Sequence, residues 1–148
     1  IIGITISQNE IKFASTKNVS NYKYFFLNKY KANSLNIFEN KKFDIIIDTN
    51  IKSFSCCDKA FNNLFKQYVN SLSHNGYIIS HINGLKWSRI VKPKLSFSFK
   101  NFFYKRLKEY DGPLNNKLSI SDCKILANEN NLKLDLDNTN LVIFKYEK

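Results

Sequence analysis

Methionine is absent from the sequence, even at position 1, and the chain starts at Ile1 inside an apolar run. Translation begins with Met, so the expected reading is a chain whose true N-terminus lies upstream. Long apolar stretches are also missing. Uninterrupted runs, such as Ile45 to Ile47, are a few residues long, against the roughly 20 that a membrane helix needs. No transmembrane helix is expected, and the first residues lack the charged and apolar regions of a signal peptide. Cysteine is scarce and odd in number: Cys56, Cys57 and Cys123 have no metal-ligand spacing. The adjacent pair is expected on a helix with its side chains pointing apart, which suits small apolar residues in a reducing, cytoplasmic compartment better than a disulfide. With two histidines in the chain, no metal site is expected.

Arginine is nearly absent as well. Of 23 basic residues only Arg89 and Arg106 are not lysine, against 12 acidic residues, for a net charge of +11. Such a charge suits a polyanion partner. Nucleic-acid sites favour Arg for bidentate contacts, however, and joint abundance of Lys, Asn, Ile and Phe is what AT-rich codon drift produces. Both readings stay open. What is present is enough for a core: 43% of the 148 residues are apolar, the size and composition of one globular domain.

Hydrophobic spacing predicts a strand over Ile1 to Ile6 and a helix over Gln8 to Thr16, capped by Ser7 with Glu10 completing a capping box. Strands follow at Tyr22 to Leu27 and Lys42 to Asp48, the latter with an Ile45 to Ile47 run suited to burial on both faces. From Phe54 to Leu72 the apolar positions are spaced by threes and fours, predicting an amphipathic helix. Asn75 and Gly76 are expected to supply left-handed residues before a strand at Tyr77 to His81. A helix at Ser119 to Asn131, capped by Ser119 with Asp122, precedes two strands, Lys133 to Leu136 and Leu141 to Tyr146, whose short link makes them antiparallel neighbours. Alternating strands and helices imply an α/β sheet with parallel central strands, interrupted by an insertion at about 84–113.

Four segments carry a family resemblance. Gly3-Ile4-Thr5-Ile6-Ser7, Phe25-Phe26-Leu27-Asn28, Phe43-Asp44-Ile45-Ile46-Ile47-Asp48 and Leu72-Ser73-His74-Asn75-Gly76-Tyr77 resemble, in order, the second to fifth strands of class I S-adenosylmethionine-dependent methyltransferases. The resemblance implies a Rossmann-like three-layer sandwich: a mostly parallel sheet ending in an antiparallel C-terminal strand pair. Residues 1–148 would form a single domain, N-terminally incomplete, with the first strand and its glycine-rich loop missing. It implies S-adenosylmethionine as cofactor, held by Gly3, Thr5, Asn28, Asp48, Thr49 and Asn50. Thr5 stands where the family usually has the acidic residue that accepts the ribose hydroxyls, as it does in the cyclopropane synthase group. Asn28 stands where the adenine amino group is received; another register aligns Lys29-Tyr30-Lys31 with that group's Asp-Tyr-Arg.

Asp48 lies where ligands bind in open α/β sheets, at the carboxyl ends of strands. It could orient the acceptor, act as a general base, or cap the next helix. His81, ending the fifth strand, is the second candidate base, or simply a hydrogen-bonded neighbour. The expected activity is methyl transfer to an unidentified small-molecule or sugar-like acceptor. The alternative is a non-catalytic relative that binds RNA or a protein partner through the basic, aromatic insertion, between Lys86 and Lys108.

Overall fold

The computed structural model describes residues 1–30, 34–38, 41–52, 55–86 and 116–146, and these form an α/β fold with two sheets. In chain order the elements are β1 (Ile2–Thr5), α1 (Gln8–Ser15), β2 (Lys23–Phe26), a 3-10 helix (Ser34–Phe38), β3 (Phe43–Ile47), α2 (Asp58–Ser71), β4 (Leu72–His81), α3 (Ile82–Leu85), α4 (Ile120–Glu129), β5 (Leu132–Leu136) and β6 (Leu141–Tyr146). Strands β1 and β2 pair in parallel as one sheet. The other has the order β3-β4-β6-β5, with β3 parallel to β4 and β6 antiparallel to both neighbours. The two-stranded sheet is parallel and the four-stranded one mixed: the antiparallel β5–β6 pair is as expected, while β6 also runs antiparallel to β4, so parallel pairing is limited to β1–β2 and β3–β4 among the described strands.

The hairpin explains the difference. Asp137 closes it by accepting the Thr139 and Leu141 N–H groups at 2.9 and 2.8 Å, and Asn140 adopts φ 65°, a conformation that Asn tolerates. A short hairpin makes β6 antiparallel to β5, and β6 then inserts between β5 and β4, so its second pairing is antiparallel too.

Local capping sets the helix starts. At α4 the Ser119 hydroxyl accepts the Asp122 N–H at 3.1 Å and the Asp122 carboxylate accepts the Ser119 N–H at 2.8 Å, a complete capping box. At α1 only half of the box forms. Ser7 accepts the Glu10 N–H at 3.3 Å, whereas the Glu10 carboxylate takes the Thr5 hydroxyl and the Ser7 N–H turns to Thr5 Oγ1 at 3.0 Å. Helix α2 starts at Asp58, four residues after Phe54. The Ser55 hydroxyl donates to the Cys57 carbonyl at 2.6 Å, a local contact that competes with helical hydrogen bonding. Cys56 and Cys57 thus lie ahead of the helix, both exposed, contrary to the expectation of a helical pair.

The exit from α2 also differs from expectation. The helix passes directly into β4 at Leu72, and among the described non-glycine residues the left-handed ones are Asn18, Asn21, Asn131 and Asn140, not Asn75. Gly76 lies within β4, where a Cβ would come within 2.9 Å of the Phe43 carbonyl oxygen. Its role is close backbone approach between β4 and β3.

One core joins the helices to the four-stranded sheet. Phe65 of α2 meets Phe144 of β6 edge-on, ring centroids 5.1 Å apart, beside the fully buried Leu64, Ile78 and Val142, and α4 adds Cys123 and Ala127. The opposite face is bare. Ile45 and Ile47 are 55% and 70% exposed, and Ile46, which pairs with Ile78, turns to the packed side. The run expected to be buried on both faces is covered on one, because no described helix covers the other.

Candidate functional site

A cleft of about 800 Å³ opens between β1 and β3, lined by both strands, by Ser7 and Glu10, by Leu27 to Tyr30, by Asp48 to Asn50 and by Tyr68. Both strands present to it an edge with no strand partner among the described residues. Gly3, Thr5, Asn28, Asp48, Thr49 and Asn50 all line this cleft, and His81 does not.

Asp48 is the most heavily engaged of these. The Lys29 ammonium donates to its Oδ2, the Tyr68 hydroxyl donates to the same oxygen at 2.9 Å, and the Asn50 N–H donates to Oδ1 at 3.3 Å. Lys29 also donates to the Asn50 carbonyl at 3.2 Å and lies over the Tyr30 ring, 5.0 Å from its centroid. The Tyr30 hydroxyl is fixed on the Ile51 carbonyl at 2.9 Å. Burial lowers the Lys29 pKa against the opposing pull of Asp48. Burial first, and then the Asp48 charge, raise the Tyr68 phenol well above its ordinary value. The Asp48 carboxylate thus accepts three donors, one of them charged.

The other candidates make mainly local contacts. Thr5 gives its hydroxyl hydrogen to Glu10 and accepts from Ser7 N–H, which brings the Glu10 carboxylate to the carboxyl end of β1. Asn28 Oδ1 accepts the Tyr30 N–H at 3.0 Å, leaving its amide group and one lone pair. The room that a side chain at Gly3 would need is taken by the Tyr22 hydroxyl. Thr49 runs against α3, where a Cβ on Gly84 would fall 1.6 Å from the Thr49 carbonyl oxygen; the absent side chain at position 84 therefore sets the path of the loop after β3. His81 caps α3, its Nδ1 accepting the Asn83 N–H at 3.1 Å.

Three cleft residues escaped the sequence reading. Spacing places Glu10 in a helix-capping box, and the family's acidic position falls on Thr5, five residues away. Tyr68 fell into the apolar stripe of α2, although it carries the only hydroxyl among the buried residues of that helix. Lys29 appeared only in the alternative register; its pairing with Asp48 spans 19 positions and leaves no local pattern.

The insertion leaves and returns at one point, the Leu118 N–H donating to the Leu85 carbonyl at 2.9 Å. Residues 87–115 lie outside the described residues, and with them most of the basic and aromatic side chains on which an RNA or partner surface would rest. Among the described residues no three His, Cys, Asp or Glu side chains are grouped to hold a metal, and no helix is long and apolar enough to cross a membrane.

No family model matches the chain, and no curated protein matches it in sequence. Solved structures do. The N-methyltransferase NodS from Bradyrhizobium japonicum WM9, in complex with S-adenosyl-L-homocysteine, superposes with a TM-score of 0.60 at 10% identity, over 99% of this chain and 66% of that one. An O-methyltransferase family protein from Burkholderia thailandensis gives 0.61 at 8% identity, over 100% and 43%. A SAM-dependent methyltransferase from Methanosarcina mazei gives 0.60 at 12% identity, over 98% and 81%. The chain therefore has the α/β fold of SAM-dependent methyltransferases, and it spans from under half to about four fifths of these three proteins.

Proposed function

We propose that this chain is the later part of a class I methyltransferase domain, one that binds S-adenosylmethionine in the cleft between β1 and β3 and methylates a small-molecule or sugar-like acceptor. The observation that carries the reading is the strand order, β2-β1, then the cleft, then β3-β4-β6-β5. One further parallel strand, from outside residues 1–148, would pair with both open edges and join the two sheets. The result would be a single, mostly parallel sheet with helices on both faces, the three-layer Rossmann-like arrangement. Unpaired backbone at two facing edges is otherwise costly wherever water is excluded.

The cleft's donors and acceptors fit the cofactor. Glu10, held beside Thr5, supplies the carboxylate that can accept a ribose diol, and Asn28 offers an amide to the adenine edge. Thr49 and Asn50, at the end of β3, line the same cleft as Gly3. When bound, S-adenosylmethionine supplies a methyl group made electrophilic by its positive sulfur. The protein's part is to align acceptor and methyl, which accounts for much of the rate in a displacement of this kind. Asp48 serves by fixing Lys29 and the Asn50 backbone. His81 does not line the cleft and serves as the cap of α3, so no proton step is assigned to it.

Calorimetry of the full-length polypeptide with S-adenosylmethionine and S-adenosylhomocysteine tests this. Both are expected to bind, and Glu10→Gln is expected to weaken both by about tenfold, or about 1.4 kcal/mol. A full-length protein that binds neither compound refutes the proposal.

A further inference from the structure

Cys56 and Cys57 are not among the residues that line the cleft. Both side chains are exposed, and their sulfurs are 3.4 Å apart. The segment that carries them is braced. Ser55 bonds to the Cys57 carbonyl at 2.6 Å and accepts the Cys57 N–H at 3.3 Å. The buried Asn116 amide holds the Ser55 carbonyl at 2.8 Å, and Lys52 pairs with Asp58 at 2.7 Å on the following turn. Two nucleophilic sulfurs are thus presented side by side on a fixed loop.

We propose that this pair is a surface dithiol that clamps one trivalent, pyramidal thiophile, of the class of an arsenous centre. The spacing selects that class. A soft centre bonds thiolate at about 2.3 Å, so two sulfurs 3.4 Å apart subtend about 95° at it. That is the near-right-angle geometry of a three-coordinate metalloid. A tetrahedral ion would spread the sulfurs to about 3.8 Å and a linear one to about 4.6 Å, and the tetrahedral ion would also need further ligands, of which no group exists among the described residues. A disulfide fits less well again. Adjacent Cα atoms are about 3.8 Å apart, below the roughly 4.4 Å at which unstrained disulfides begin.

The chemistry balances without an oxidant. Two thiols replace two oxygen ligands of the metalloid; two S–H bonds and two metalloid–oxygen bonds break, two metalloid–sulfur bonds form, and the protons leave with the oxygens as water. The sulfurs are prepared unequally for this. The Ala60 amide at the start of α2 pulls the Cys57 thiol pKa down, while sharing with Cys57 pushes that of Cys56 up. Once one sulfur has bonded, the other lies 3.4 Å away and closes the chelate.

Phenylarsine oxide is the probe. Under reducing conditions, intact mass spectrometry of the full-length protein is expected to show one arsenical per chain, released by a dithiol such as 2,3-dimercaptopropanol and not by excess monothiol. Cys56→Ser and Cys57→Ser are each expected to weaken retention by about a hundredfold, because the second bond is intramolecular. Cys123→Ser is expected to change nothing, since that thiol is buried and pushed up to about 11. Circular dichroism of the exposed serine variants checks that they fold. A single serine variant that holds the arsenical as tightly as the parent, or an adduct that monothiol removes as readily as dithiol, overturns the proposal.

Discussion

The layer formed by β1, α1 and β2 and the sheet formed by β3, β4, β6 and β5 differ in what stands behind them. Both are written in apolar residues. In the four-stranded sheet Ile78, Val142 and Phe144 are fully buried beneath α2 and α4. In residues 1–30 no residue is buried, α1 contributes none, and Phe26 is 60% exposed. The difference teaches that pattern sets which face a strand offers, while burial depends on whether an element arrives to cover it. Each region also ends in an open edge on the same cleft, and the Lys29–Asp48 pair ties them across it.

Core truncation separates the two regions most sharply. Phe144→Ala is expected to cost about 3–5 kcal/mol, enough to unfold a marginal domain, whereas Phe26→Ala, losing a side chain already in water, is expected to cost under about 0.5 kcal/mol. Urea melts of both variants measure this, and equal losses would remove the distinction between the regions. Next comes the tie. Asp48→Asn strands Lys29, and with the two side chains only 21% and 12% exposed, a loss of about 2–3 kcal/mol is expected, somewhat below that of a fully buried pair. Hydrogen exchange is expected to rise in β1 and β2 more than in β4 and β6; a uniform rise would show that the pair does not hold the layers together.

The smallest effect is that of Tyr68→Phe, about 1–2 kcal/mol at neutral pH from one hydrogen bond to a carboxylate. Its sign with pH is defined. A phenol held above its ordinary value contributes stability that is complete below the unfolded value of about 10 and is lost as pH rises through its own, higher one. Lys29 runs the other way, because its folded value lies below 10.5 and its burial penalty is lifted as pH rises through that value. The stability gap between the parent and Tyr68→Phe is therefore expected to shrink above pH 10, read by urea melts from pH 8 to 11. A constant gap would mean that the phenol titrates normally.

Features encoded within a few residues were legible. The Ser119–Asp122 box, the Leu141 to Tyr146 strand and its antiparallel partner follow from local spacing, and they stand as read. The six cofactor-binding candidates line one cleft because each lies in or just after a strand whose order the resemblance supplied. Features decided by distant neighbours were not legible. The exposure of Ile45 and Ile47 depends on a cover that their own sequence does not specify. The start of α2 depends on Ser55, whose carbonyl is held by Asn116, 61 positions away. Glu10 was ambiguous for a different reason: the same side chain satisfies a helix start or a strand end, and only packing chooses between them.

The position of β6 carries a consequence for synthesis. Strand β4 gains its second neighbour, and Phe65 the edge-on ring of Phe144, from residues 141–146. Until that segment clears the ribosome, β4 has an open side and α2 has half a core, so the sheet closes late and through contacts of long sequence separation. During that interval the nascent β3–β4 pair is the segment that a holding chaperone would have most reason to grip.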